Sequence, residues 1–152
     1  VSTSRHLQSN RTAVQKASLA VGAVFVLVGV LGFIPGITTD YGTLQFAGHE
    51  SEAMLLGIFQ VSVLHNIVHL LYGVGGIVLA KTVSAARTYL MLGGVTYLLL
   101  SLYGFLIGGG SAANFVPVNV ADNWLHLGLG LGMAALALTL TPRTTKRADK
   151  AH

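Results

Sequence analysis

Four long apolar stretches alternate with short polar ones along the chain. They run roughly over residues 17–36, 62–80, 86–108 and 119–141. Each is close to the ~20 residues a helix needs to cross the hydrocarbon core of a bilayer. The breaks between them carry stop and start signals. Pro35-Gly36 ends the first stretch, and Lys81 and Arg87 bracket a turn after the second. The triplet Gly108-Gly109-Gly110 ends the third, and Pro142 follows the fourth. Ser62 reads as an N-cap, since its hydroxyl can accept from an orphan amide of the next turn. Ile37 to Gly57, with Asp40, His49, Glu50 and Glu52, reads as a loop with room for a short interfacial helix near Ser51 to Ile58. The basic start followed by an apolar run has the look of a signal peptide. It lacks a small-residue cleavage site and closes on Pro35-Gly36, so it reads as a retained helix. The expected architecture is an all-α integral membrane four-helix bundle over residues 17–141. An N-terminal segment (1–16) precedes it and a basic tail (142–152) follows.

The pattern repeats. Val61 to Leu70 aligns without a gap on Val118 to Leu127, and the match continues through Gly73/Gly130 and Gly75/Gly132. Gly32-Phe33-Ile34-Pro35-Gly36 resembles Gly104-Phe105-Leu106-Ile107-Gly108. Two helical hairpins in tandem are therefore expected, both starting on the same side, related by an axis along the membrane normal. The pairs Gly32/Gly36, Gly104/Gly108 and Gly128/Gly132 each have the spacing that lets helix backbones approach closely in lipid. Such stripes could serve the bundle itself, a homo-oligomer or a partner membrane protein.

Composition and charge sharpen this picture. Hydrophobic residues make up 53% of the chain and charged residues 9%, against about 25% charged in soluble domains. With no cysteine there is no disulfide and no thiolate ligand or nucleophile. Every Lys and Arg falls in the N-terminal segment, the turn after the second stretch or the C-terminal tail. The acids Asp40, Glu50, Glu52 and Asp122 lie toward the opposite ends. The positive-inside rule then puts both termini in the cytoplasm of a bacterial cell, with Tyr41 and Trp124 in an outer aromatic belt. Because the basic residues are broken up by apolar runs, nucleic acid is not an expected partner; the lipid bilayer is.

The chemistry sits inside the repeat. One copy carries His65, Asn66 and His69, and the other Asp122, Asn123 and His126. Positions four apart share a helix face, so His65 stacks over His69 and Asp122 over His126. Ionisable groups inside membrane segments are costly and are functional candidates by default. If the two copies face each other, His65, His69, Asp122 and His126 offer ligands for zinc, copper or iron. His69 and His126 alone could be axial ligands of a haem, and a chlorin or quinone-like molecule is a further option. A structural reading accounts for much of the same set. Asn119 and Asp122 have the spacing of a capping box, and Asn66 and Asn123 can hydrogen-bond between helices. Outside this set the chain has no phosphate loop, nucleophile elbow or zinc-protease helix. His49, Glu50 and Glu52 read as solvated loop residues or outer ligands. Tyr72, Tyr89, Tyr97 and Tyr103 read as packing or interface anchors. No catalytic residue is assigned. The leading expectation is a non-enzymatic accessory or structural component of a membrane assembly. Metal or haem binding is the alternative, and a small transporter or channel the second.

The stretch Leu55 to Gly73, with His65-Asn66-x-x-His69 at its centre, and the later Asp122-Asn123-Trp124-Leu125-His126, resemble a family of small membrane proteins common in actinobacteria. That family is known as a domain of unknown function. The resemblance runs from the first apolar stretch to the fourth and implies a four-helix membrane fold. It departs from the family pattern at Gln60-Val61-Ser62, where Pro-Val-Asn is usual, whereas Pro117-Val118-Asn119 keeps that form. It implies no activity.

Overall fold

Short polar residues set the helix starts. Thr12 and Gln15 form a capping box ahead of α1 (Ala13–Leu31). The Ser62 hydroxyl accepts the His65 amide at 3.1 Å and opens α2 (Val63–Leu79). The Thr82 hydroxyl accepts the Ala85 amide at 3.1 Å and opens α3 (Val83–Ile107). Asn119 and Asp122 form a reciprocal capping box for α4 (Val120–Thr139), as their spacing predicts. These elements come from a computed structural model that describes residues 11–107 and 109–140. The first ten residues, Gly108 and the expected basic tail lie outside the described residues.

Four helices thus form the body of the protein. Two of them, α1 and α3, are long and apolar enough to cross a membrane. Helix α2 is apolar but has 17 residues, and α4 carries Asp122, Asn123 and His126 in its first turns. Helix α1 starts before residue 17 because Gln15 is not a flanking polar residue. Its amide donates to the carbonyls of Ala80 and Lys81, both at 3.0 Å, and ties α1 to the α2–α3 turn. The helix ends at Leu31 rather than at Pro35-Gly36. Phe33 and Ile34 close it with tighter bonds to Val30 and Leu31, and Gly36 follows in the left-handed region at φ 91°.

No helix forms near Ser51 to Ile58. That segment belongs to a small antiparallel sheet of β1 (Thr38–Thr39), β2 (Met54–Leu55) and β3 (Phe59–Gln60), ordered β1-β2-β3. Leu56 and Gly57 take positive φ angles of 55° and 69°, and Ile58 donates to the Leu55 carbonyl at 3.1 Å. Two successive left-handed residues reverse the chain between β2 and β3 and cannot continue a helix. The sheet packs Ala53, Leu55 and Val61 against Val28 and Leu31 of α1. The loop before α4 lies against it: the Gly48 amide donates to the Phe115 carbonyl at 2.6 Å, and the Asn119 side chain donates to Ile58 at 2.7 Å.

Helix α1 packs on α2 and α3 on α4, and the two pairs meet chiefly through α1 and α3. Inside each pair the contact is glycine against backbone. A Cβ on Gly22 would lie 2.7 Å from the Gly73 carbonyl oxygen, and one on Gly73 would lie 2.6 Å from that of Gly22. In the second pair, a Cβ on Gly94 would lie 3.0 Å from the Gly130 oxygen and 2.8 Å from the Ala134 nitrogen. Gly32 and Gly104 also pack closely, each against the side-chain amide of the equivalent asparagine, Asn66 and Asn123. The other glycines of the predicted stripes do not. Gly36, Gly128 and Gly132 have nothing within 4 Å of an added Cβ, and Gly108 is outside the described residues. On α4 the buried face runs through Asn123, His126, Gly130, Met133 and Ala137. Gly128 and Gly132 lie off that face, so their spacing alone does not make a contact.

Candidate functional site

Helical spacing carries His65, His69 and His126 to one place. His65 and His69 sit one turn apart on α2 with ring centroids 4.5 Å apart, and the His126 ring of α4 is 6.3 Å from that of His65. The aromatic residues beneath them follow the same repeat. Phe25 of α1 lies 5.5 Å from His69, and Tyr97 of α3 lies 5.1 Å from His126. Phe25 and Tyr97 stack on each other at 5.4 Å, where the two helix pairs meet. Each hairpin therefore supplies one aromatic ring and one of the matched histidines, His69 or His126, about a shared centre, and the first adds His65.

The three imidazoles are at most 9% exposed, and the Nδ1 atom of each is buried without a hydrogen-bond partner. Leaving a polar atom buried and unpaired costs about 1–3 kcal/mol, so three together are a substantial local penalty. The rings form a wall between two cavities. One, of about 170 Å³, lies between α1 and α4 under the β-sheet, with Phe25, Val28, Leu125 and Phe59 among its walls. The other, of about 120 Å³, lies between α2 and α3 under the loop before α4, with Val68, Tyr97, Leu100 and Val116 among its walls. All three histidines line both. The two spaces correspond position by position: Phe25 and Val28 in one match Tyr97 and Leu100 in the other, and Leu125 matches Val68.

Above the histidines the loops supply fixed hydrogen bonds. One oxygen of Asp122, Oδ2, accepts the amides of Asn119 and Gln60, both at 2.9 Å. The second bond crosses from β3 to α4. His65 faces the opposite chemistry, the backbone carbonyls of Pro117 and Gln60. Ser101 of α3 donates to the Asn123 carbonyl at 2.8 Å. In the first hairpin the matching place is held by Gly29, whose added Cβ would lie 2.9 Å from the Asn66 carbonyl. The side chains of Asn66 and Asn123, expected to bond between helices, are buried. Both amide heteroatoms of Asn66 and the oxygen of Asn123 are unpaired, each amide pressed against a glycine of the neighbouring helix.

Among the described residues, no group of three or more His, Cys, Asp or Glu side chains is placed to hold a metal ion. Asp122 lines the first cavity with the three histidines, but its Oδ2 is held by the loop amides, and the predicted set His65, His69, Asp122 and His126 forms no such metal group. A haem macrocycle exceeds either cavity, since ~150 Å³ accommodates a benzene. Glu50 and Glu52 are exposed and, like His49, line neither cavity. Sequence reasoning gave Tyr97 a packing role, gave Gln60 and Pro117 no role in the site, and passed over Phe25. A signal was present: extending the Gly32/Gly104 match two helical turns backward pairs Phe25 with Tyr97, and extending the histidine match backward pairs Gln60 with Pro117. Comparison with curated proteins and with solved structures gave no match. A family model described as a domain of unknown function (DUF4383) matches residues 15–139, and the chain belongs to that family.

Proposed function

We propose that this is a polytopic protein of the bacterial cytoplasmic membrane, with all four helices crossing the bilayer and both termini in the cytoplasm. In this reading it is a non-enzymatic accessory component of a membrane assembly. Its histidine centre, near the outer side, binds a small apolar molecule drawn from the bilayer. The observation that carries the binding reading is the pair of apolar cavities lined by the same three buried histidines, whose Nδ1 atoms have no partner within the protein. Such atoms recover their lost hydration only when a ligand group or an ordered water pairs with them.

The outer faces support the membrane assignment. Leu27, Val74, Leu99 and Leu138, one on each helix, are all more than half exposed, and such residues recur along all four helices. A soluble protein seldom presents an apolar surface of that extent. Lys81 and Arg87 lie at the end of the molecule opposite the sheet and the α4 loop, as a cytoplasmic turn requires. A parallel duplication accounts for the matched contacts in the two hairpins.

Because the chain has no cysteine, single cysteines report sidedness directly. With a membrane-impermeant maleimide on intact cells, Glu52→Cys is expected to label, and Arg87→Cys only after permeabilisation. Labelling of both in intact cells overturns the topology. For binding, the delipidated protein with ¹⁵N-labelled histidine is titrated with total membrane lipid extract. Shifts in the imidazole nitrogen resonances are expected, and spectra that stay fixed at saturating extract overturn the binding reading.

A further inference from the structure

We propose that the groove between α2 and α3 seats one anionic phospholipid of the cytoplasmic leaflet, with a chain between the helices and the phosphate at Arg87. This rests on the membrane topology proposed above and is independent of the histidine centre.

The groove follows from how two tyrosines are lodged. Tyr89 packs against Gly76 of α2, and Tyr72 against Gly93 of α3, where an added Cβ would run into the tyrosine. The two rings stack with centroids 4.7 Å apart, and the Tyr72 hydroxyl donates to the Tyr89 carbonyl at 3.3 Å. They wedge α2 from α3, whereas glycine brings α1 onto α2 and α3 onto α4. On the outward side of the wedge a groove of about 290 Å³ remains. Its rims are two stripes of residues four apart: Leu71, Gly75 and Leu79 on α2, and Thr88, Leu92 and Thr96 on α3. Leu71 and Leu92 are 68% and 63% exposed. A Cβ on Gly75 would meet nothing within 4 Å, so the groove is open at its middle.

Length selects the occupant. Each rim covers about 12 Å of helix axis. The hydrocarbon of one leaflet is about 15 Å deep, half of the bilayer core. One lipid chain matches that length, and a spanning partner helix would need a seam about twice as long.

Charge selects the headgroup. Past Thr88 the groove runs into a second depression of about 170 Å³, lined by Arg87, Thr88, Met91 and Leu92. The apolar channel therefore ends on a guanidinium and a hydroxyl. A guanidinium holds two phosphate oxygens at once, which an ammonium does not. Lys16 and Lys81 share this end, where Gln15 ties α1 to the α2–α3 turn. The acids among the described residues, Asp40, Glu50, Glu52 and Asp122, all lie toward the opposite end. With no described carboxylate there to receive a choline, an anionic headgroup is favoured over a zwitterionic one. Anionic lipid is also what the cytoplasmic leaflet concentrates.

The test titrates the full chain in detergent micelles with phosphatidylglycerol or phosphatidylcholine of the same chains. Native mass spectrometry reads the first lipid bound. Phosphatidylglycerol should bind about fivefold more tightly, the contribution of one well-placed cation. Arg87→Gln should cut that preference below about twofold. Lys16→Gln removes the same charge from the same end but outside the groove, and should keep most of the preference. Gly75→Leu fills the chain seat from an open position; with its circular dichroism unchanged, it should weaken both lipids and leave their ratio intact. Inorganic phosphate at constant ionic strength should displace neither, because it has no chain. Equal affinity for the two lipids would overturn the inference, as would equal effects of Arg87→Gln and Lys16→Gln, a Gly75→Leu variant that binds both lipids as before, or displacement by phosphate. A dimer that Gly75→Leu splits would overturn it too, by placing a second copy in the groove. The maleimide labelling above reads the topology separately. If Arg87→Cys labels in intact cells, the topology falls and this site goes with it. If labelling is as expected and phosphatidylglycerol is not preferred, this inference alone falls.

Discussion

Gly73→Ala and Gly75→Ala place the same methyl group two residues apart on α2, and they should have opposite effects. At Gly73 the new Cβ would lie 2.6 Å from the Gly22 oxygen and 2.6 Å from the Val26 nitrogen. Both are backbone atoms of α1, so no rotamer change relieves the contact, and the two helices must part by most of an ångström. Overpacking of this kind costs about 1–3 kcal/mol, and the absence of a flexible neighbour places Gly73 near the top of that range. Alanine's better helix propensity returns up to ~1 kcal/mol. The net loss is about 2 kcal/mol, on the order of a thirtyfold fall in the folded-to-unfolded ratio. At Gly75 nothing lies within 4 Å, so only the propensity gain remains. The second hairpin supplies an independent replicate. Gly130→Ala meets the Leu98 side chain at 2.8 Å and its backbone nitrogen at 2.9 Å, whereas Gly132→Ala meets nothing. Since the Leu98 side chain can turn aside in part, about 1 kcal/mol is expected there. Reversible unfolding in mixed micelles with increasing dodecyl sulfate, followed by far-UV circular dichroism, measures all four. Losses at Gly75 and Gly132 equal to those at Gly73 and Gly130 would refute the packing argument, because they would mean that any added methyl on these helices is disruptive.

The remaining predictions concern the end of the bundle that carries the sheet and the loop before α4. Asp122→Ala removes the acceptor of two amides, those of Gln60 and Asn119. It should destabilise the fold by about 2 kcal/mol and speed hydrogen exchange at both amides, whereas Asp122→Asn, which keeps an acceptor oxygen, should do so less; equal exchange in the two variants would count against this account. Ser101→Ala leaves the Asn123 carbonyl without its side-chain donor and should cost about 1 kcal/mol in the same unfolding assay; an unchanged midpoint would show that this bond adds nothing. Asn114 donates to the carbonyls of Gly109 and Val118 and accepts the Val118 amide, at 3.0, 3.1 and 3.1 Å. Asn114→Ala should therefore loosen the loop before α4, raising protease cleavage there while the segment around Ser51 stays protected; equal cleavage of both would argue against a local role.

Periodicity and punctuation made the four helices legible. Runs of apolar residues with few charges have one economical solution, and Ser62 and Asn119 mark their own caps. The sheet was harder to see. Its strands have two residues each, too short for alternation to register, and Leu56 holds a backbone conformation that its type rarely adopts. The glycine contacts were only partly legible for a different reason. Spacing finds residues on one side of a helix, but which side is buried depends on where the partner lies. Thus Gly32 and Gly104 are packed while Gly36, Gly128 and Gly132 are open. The most informative glycines, Gly22, Gly73, Gly94 and Gly130, emerge only when both helices of a pair are considered together.

The histidine centre was legible as a set of positions but not as an arrangement, and the one place where the repeat changes chemistry shows why. His65 and Asp122 occupy matching positions, and so do Gln60 and Pro117. Gln60 has a backbone N–H aimed at α4, and Asp122 accepts it. Pro117 has no N–H to give, so a carboxylate at position 65 would meet carbonyl oxygens from both loops and no donor from Pro117. An imidazole is the residue that can donate to carbonyls there. The exchange of acid for histidine thus matches the exchange of Gln60 for Pro117, with no metal invoked. What that local logic leaves over is the Nδ1 of His65, together with those of His69 and His126. Neither loop reaches these atoms, and no side chain packed against them offers a partner. The case for a bound ligand therefore rests on the two cavities that the three histidines line in common rather than on the carboxylate.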